Sequence, residues 1–203
     1  ILLNLNFQVS GSDLLESKIT KRLESLGLVF FNIHKGENLS EVDLVVFSSA
    51  IKQDNPEIIE AKKNNIKIIK RAEMLAELTN LKKSILIAGS HGKTTTTCIA
   101  AHIFKENNLD PTYIIGGKVS SFESNANLGD GKHIFAEADE SDGSFLLFNP
   151  DKAIITGIDN DHLETYQGNI ENLKKAFVDF IKKVKSTVFI LVLEKNWLKY
   201  LSL

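Results

Sequence analysis

Residues 84–97 constrain this chain more than any other stretch. Ser84-Ile85-Leu86-Ile87-Ala88 reads as a strand, Gly89-Ser90-His91-Gly92-Lys93-Thr94-Thr95 as a turn, and the residues from Lys93 to about Asn107 as a helix. A strand that passes through a glycine-bearing turn into a helix is one βα unit of a parallel sheet. Glycines let such a turn bend tightly and bring backbone close to anionic oxygens. The helix start adds unpaired N–H groups and the positive end of the dipole. Lys93 supplies a point charge for terminal phosphates, and the Thr94 hydroxyl suits magnesium. The segment therefore predicts a site for ATP with Mg2+, bound by Gly89, Ser90, His91, Gly92, Lys93, Thr94 and Thr95. Its spacing is short: two residues separate Gly89 from Gly92, where the common Walker loop has four. Four successive threonines, Thr94 to Thr97, are poor helix formers, so an ordinary turn gives no reason for them.

The rest of the chain repeats the βα rhythm. Strands are expected at Phe7–Ser10, Val42–Ser48 (a buried one), Ile66–Ile69, Tyr113–Ile115, Ile134–Ala136 and Ala153–Ile158, with a turn at Gly11-Ser12-Asp13. Helices are expected at Glu16–Leu26 with Gly27 closing it, after the Asn55 cap with Pro56 at its first position, and at Arg71–Leu78. Glu171–Val184 carries Leu173, Phe177, Phe180, Ile181 and Val184 on one helical face. The polar stretch Thr79–Lys83 is the linker candidate. It divides the chain into residues 1–80 and 81–203.

Bulk properties exclude several classes. The 203 residues are 43% hydrophobic and 25% charged with a formal net charge of -2, so no basic excess points to nucleic acid. No apolar run is long enough to span a bilayer. Cys98 has no second cysteine to pair with, in keeping with a cytoplasmic, reducing setting. The start has no basic region or cleavage site of a signal peptide and no initiator Met, which reads as a beginning inside a larger protein.

Two further segments carry chemistry. Ala136-Glu137-Ala138-Asp139-Glu140-Ser141-Asp142 holds four carboxylates after a strand, where ligands of α/β sheets sit. Glu137, first after the strand, is the preferred magnesium ligand, with Asp139 and Glu140 as alternatives. Downstream, Ile158-Asp159-Asn160-Asp161-His162 ends another strand. His162 is a candidate to ligate a metal or orient a phosphate, with Asp161 beside it. His34, His102 and His133 show no constellation, and Cys98 reads as a packed thiol.

Together these segments resemble the Mur ligases. The matching stretches are Val9–Asp13, Ser48–Ile51, Arg71–Leu78, Gly89–Thr97, Ala136–Phe145 and Asp161–Tyr166. The short phosphate loop is the form that family uses, and Glu137–Asp142 favours its alanine-adding members. The resemblance implies an α/β fold: a Rossmann-like UDP-sugar domain, begun after its glycine-rich turn, then a phosphate-loop central domain with a mostly parallel sheet. It implies ATP-dependent joining of L-alanine to UDP-N-acetylmuramate through an acyl phosphate. Lys93, Glu137 and His162 would be catalytic, with Thr94, Glu137 and His162 holding metal and Asp13, Ser48 and Ser49 meeting the UDP-sugar. The family's C-terminal domain has no counterpart in these residues, Gly157 stands where Asn is usual, and residues after about 184 diverge. Two alternatives stay open: a non-catalytic ATP-binding piece, and the related tripeptide recycling ligase.

Overall fold

The computed structural model describes residues 1–117, 124–161 and 163–191. Its contacts divide into two units, Ile1–Met74 and Leu75–Leu203. The division falls inside a helix, Arg71–Thr79, rather than in the polar stretch 79–83. The reason is burial: Leu75 and Ala76 pack into the core of the second unit.

In the first unit, β1 (Ser10–Ser12), α1 (Lys18–Ser25) and β2 (Val29–Phe31) form one βαβ turn, with β1 and β2 parallel. Strand β1 lies later than the expected Phe7–Ser10, and Phe7 is 60% exposed. Pairing decides this position: Ser10, Gly11 and Ser12 face Val29, Phe30 and Phe31 across the ladder, a fit that no side-chain periodicity announces. Helix α1 starts at a reciprocal cap, where Ser17 Oγ accepts from the Thr20 amide and Thr20 Oγ1 from the Ser17 amide. Of its apolar residues, Ile19 and Leu26 are exposed, and Leu23 is half-buried. The second βαβ turn is β3 (Leu44–Phe47), α2 (Pro56–Lys63) and β4 (Lys67–Lys70), again parallel. As expected, Asn55 caps α2 by accepting from the Glu57 amide at 2.9 Å. Strand β3 is half-buried rather than buried. Helix α3 (Arg71–Thr79) follows.

The second unit is a six-stranded sheet. Its strands are β5 (Lys83–Ala88), β6 (Thr112–Ile114), β7 (Ala126–Asn127), β8 (His133–Glu137), β9 (Lys152–Ile155) and β10 (Thr187–Ile190), in spatial order β10-β9-β5-β8-β6-β7. All pairs are parallel except β6 with β7. Both faces are covered, as parallel sheets require. Successive residues of β5 alternate between them. Leu86 and Ala88 join the core made by Leu173, Phe177 and Phe180 of α5 (Ile170–Lys182), together with Phe145 and Phe148. Ile85 and Ile87 join the core made with Cys98 and Ala101 of α4 (Lys93–Glu106). Central β5 thus has β8 on one side and β9 on the other, with Ile87 opposite Glu137 and Ala88 opposite Ile155. Three parallel strands deliver their C-terminal loops to one edge of the sheet.

Candidate functional site

The loop from β5 to α4 is shaped by contact with the loop after β9. Gly89 has φ +135°, and a Cβ there would lie 2.2 Å from Thr156 Oγ1 and 2.7 Å from the Gly157 carbonyl. Only glycine fits both the conformation and the space. Cross-ties hold the two loops together. The Ser90 amide donates to Gly157 O at 2.9 Å, and the Asp159 amide donates to Ser90 Oγ at 2.9 Å. Thr156 Oγ1 lies 2.5 Å from the His91 carbonyl, to which it donates. Gly92, at φ +78°, is the N-cap of α4 and offers no side-chain cap. The first amides of α4 therefore lack intrahelical acceptors and are directed at the loop mouth, the arrangement that receives phosphate.

Carboxylates from the end of β8, where Glu137 is the last strand residue rather than the first after it, and from the loop beyond face the start of α4. Glu137 accepts from Thr94 Oγ1 at 3.1 Å and from the Gly116 amide at 2.8 Å. A hydroxyl and a carboxylate are hard oxygen donors and suit Mg2+. Among the described residues no group of three or more His, Cys, Asp and Glu side chains converges as a metal cage. Lys93 Nζ donates to the Gly89 carbonyl at 2.8 Å and to both oxygens of Glu140, at 3.1 and 2.8 Å. Glu140 is fully buried, although it belongs to an acidic run. Its backbone carbonyl accepts from Tyr166 Oη at 2.5 Å. Burial, then the charges of Glu140, Asp142 and Asp139, push the Tyr166 phenol up to about 12. Burial, and after it the charge of Glu137, raises the Cys98 thiol. That keeps it protonated, as a packed thiol is.

The remaining expected residues fall in different places. His91 is exposed and its Nε2 lies 2.9 Å from Asp161 Oδ2, while Thr95 is exposed at the helix start. His162 lies outside the described residues. In the first unit, Asp13 and Ser48 border a groove of about 670 Å3. Asp13 Oδ1 accepts from the Leu15 amide, and Ser48 Oγ from the Ala50 amide. Ser49 is exposed in the turn after β3.

Two arrangements were not foreseen. One is the Lys93–Glu140 pair. The other corrects the reading of His34 as unconstellated: His34 Nδ1 lies 2.9 Å from Ser12 Oγ and 3.0 Å from Glu57 Oε2. Glu57 also accepts from Ser12 Oγ at 2.7 Å and from Asn38 Nδ2 at 2.7 Å. Because Glu57 and Ser12 share the same ring nitrogen, this is a tie between β1, the loop after β2 and the start of α2. It is not a nucleophile–base relay, which uses both ring nitrogens. The one sequence signal was Glu57 in the first turn of a capped helix, which is ordinary charge–dipole chemistry.

Comparison with known proteins gives the family and fold likenesses of the chain. Residues 1–83 match the Mur ligase family catalytic domain and residues 87–202 the Mur ligase middle domain. A UDP-N-acetylmuramate–L-alanine ligase of Pelobacter propionicus is 55% identical over 184 residues, which is 91% of this chain and 40% of that protein. The chain thus spans about 40% of the length of the curated relatives it matches. The crystal structure of the UDP-N-acetylmuramate–alanine ligase from Thermotoga maritima superposes with TM-score 0.83 at 32% identity, covering 93% of this chain and 44% of that one. The UDP-N-acetylmuramate:L-alanyl-γ-D-glutamyl-meso-diaminopimelate ligase of Neisseria meningitides shares the fold, with TM-score 0.85 at 22% identity, covering 99% of this chain and 68% of that one.

Proposed function

The chain belongs to the Mur ligase family, and on that premise we propose that it carries the ATP site and the UDP-sugar site of a UDP-N-acetylmuramate–L-alanine ligase. Such an enzyme works in the cytoplasm on peptidoglycan precursors, and so serves cell-wall growth, cell shape and division. The observation that carries the choice of substrates is the 55% identity to a relative of that name over 91% of this chain. The loop geometry supports the ATP half independently. No helix among the described residues is long and apolar enough to cross a membrane.

The chemistry follows from the poor electrophilicity of a carboxylate. A muramate carboxylate oxygen takes the γ-phosphoryl group of ATP, and ADP leaves. The amine of L-alanine then attacks the acyl carbon, phosphate departs, the nitrogen loses a proton and an amide remains. In-line phosphoryl transfer is catalysed mainly by positioning and charge neutralisation. Lys93 and the first amides of α4 bind the terminal phosphates. Thr94 and Glu137 would hold Mg2+, which would neutralise negative charge on the phosphates. His162 would help hold a second cation. Gly89, Ser90, His91, Gly92 and Thr95 shape the loop. Asp13, Ser48 and Ser49 meet the UDP-sugar along the groove of the first unit.

The test is alanine-dependent ADP release with UDP-N-acetylmuramate by the product of the whole gene, with the tripeptide as the competing acceptor. Faster turnover with the tripeptide overturns the substrate assignment. In the same assay Glu137→Ala raises the magnesium concentration needed for half-maximal rate. An unchanged magnesium titration removes Glu137 from the cation's partners.

A further inference from the structure

Glu140 is not explained by phosphate binding. It places a negative charge against the lysine that is to receive phosphate. Lys has three N–H donors, and the structure accounts for all three, on Gly89 O, Glu140 Oε1 and Glu140 Oε2. Lys93 is also 3.8 Å from Asp139 Oδ1. Glu140 has no room to yield. It is fully buried, and its backbone carbonyl accepts from both Tyr166 Oη and the Gly143 amide. Lys93 is 16% exposed against 1% for the Glu140 side chain. When phosphate arrives, the lysine is therefore the partner that can move.

We propose that Glu140 is a positioning residue that holds back the Lys93 ammonium, so that the loop accepts ATP as its magnesium complex in preference to free ATP. This deepens the reading of the loop as an ATP site and rests on it. Free ATP brings its full negative charge toward Glu140, Glu137 and Asp139, with a lysine already neutralised. The magnesium complex brings less net charge and gives Glu137 a cation to bind. A buried carboxylate three residues beyond the Glu137 cation partner thus makes cation and nucleotide arrive together.

Calorimetric titration of the 203-residue chain with ATP, in EDTA and in magnesium, tests this. Glu140→Gln keeps the shape and removes the charge. Free ATP then binds roughly tenfold or more tighter, the scale of one close charge, while the magnesium complex changes by less than about threefold. Glu140→Asp keeps the charge but draws it back by one methylene, and its free-ATP affinity falls between parent and Gln variant. If the Gln variant does not fold, the Asp variant carries the same test. An unchanged ratio of the two affinities in a folded variant overturns the proposal, as does equal weakening of both, which is the mark of a loop support. Absence of binding by the parent refutes the ATP reading and this inference with it. Binding by the parent with no shift in the ratio refutes this inference alone.

Discussion

Replacing Gly89 by alanine tests the loop geometry most directly. The added methyl group meets two obstacles. Its backbone at φ +135° lies where L-residues are strained, at about 1–3 kcal/mol. Its Cβ would stand 2.7 Å from the Gly157 carbonyl and 3.0 Å from the Gly157 amide, both backbone atoms, and 2.2 Å from Thr156 Oγ1. Thr156 can turn away only by losing the one hydroxyl hydrogen bond that it shares between the Ala88 and His91 carbonyls, at about 0.5–1.5 kcal/mol. Overpacking against fixed backbone adds about 1–3 kcal/mol. A total of roughly 2.5–7.5 kcal/mol follows, which lowers the melting temperature by about 2–4 °C per kcal/mol for a chain of this size. Gly92→Ala is the control. Gly92 is also in the left-handed region, at φ +78°, but the nearest atom to its Cβ is Thr156 Cβ at 3.8 Å. It should cost only the conformational strain, about 1 kcal/mol. Thermal denaturation of the two variants without nucleotide decides the matter. Equal melting temperatures, or a Gly92 variant less stable than the Gly89 one, would show that the Thr156-Gly157 contact does not set the loop.

Two further outcomes follow from the same site. Lys93→Ala leaves Glu140 buried without its cation, and breaking such a pair costs roughly 3–5 kcal/mol, toward the lower end because Lys93 is 16% exposed. Its melting temperature therefore falls even without ATP, and Lys93→Ala/Glu140→Leu recovers most of the loss. A single variant as stable as the parent refutes the pairing. Tyr166 holds its proton up to about 12 against an ordinary 10.0, so the folded state binds that proton more tightly than the unfolded one. Its contribution is full below about 10 and is lost as pH rises toward about 12. Urea unfolding midpoints across that window should fall more steeply for the parent than for Tyr166→Phe, and parallel slopes would count against it.

Much of the second unit was legible because its signals are local. The apolar run Ile85–Ala88, the glycines and Lys93-Thr94 lie side by side, and they became β5, the loop and the start of α4. Leu173, Phe177 and Phe180 recur at helical spacing and are all fully buried. Asn55 and Pro56 opened α2 where capping chemistry says they should. What escaped depends on distant partners. Ser10-Gly11-Ser12 has no strand signature of its own, and becomes β1 only because Val29–Phe31 lies beside it. Glu140 stands in an acidic run where it reads as an alternative magnesium ligand, and the lysine it pairs with is 47 residues away. His34 meets Ser12 and Glu57 across 22 and 23 residues.

The double flanking of β5 has a consequence for how such a site can change over time. Its neighbours β8 and β9 are each fixed to it by a parallel ladder, so Glu137, the Gly89–Gly92 turn and the Thr156-Gly157 segment are hung from one common frame. Drift in the outer strands or on helix surfaces leaves that frame untouched. The Gly89–Gly92 turn and the Thr156-Gly157 segment are cross-tied and can change only together, whereas Glu137 meets Thr94 and Gly116 through bonds of its own. The architecture separates what must be inherited unaltered from what is free to vary, which lets ligand choice diverge while the nucleotide cradle stays fixed.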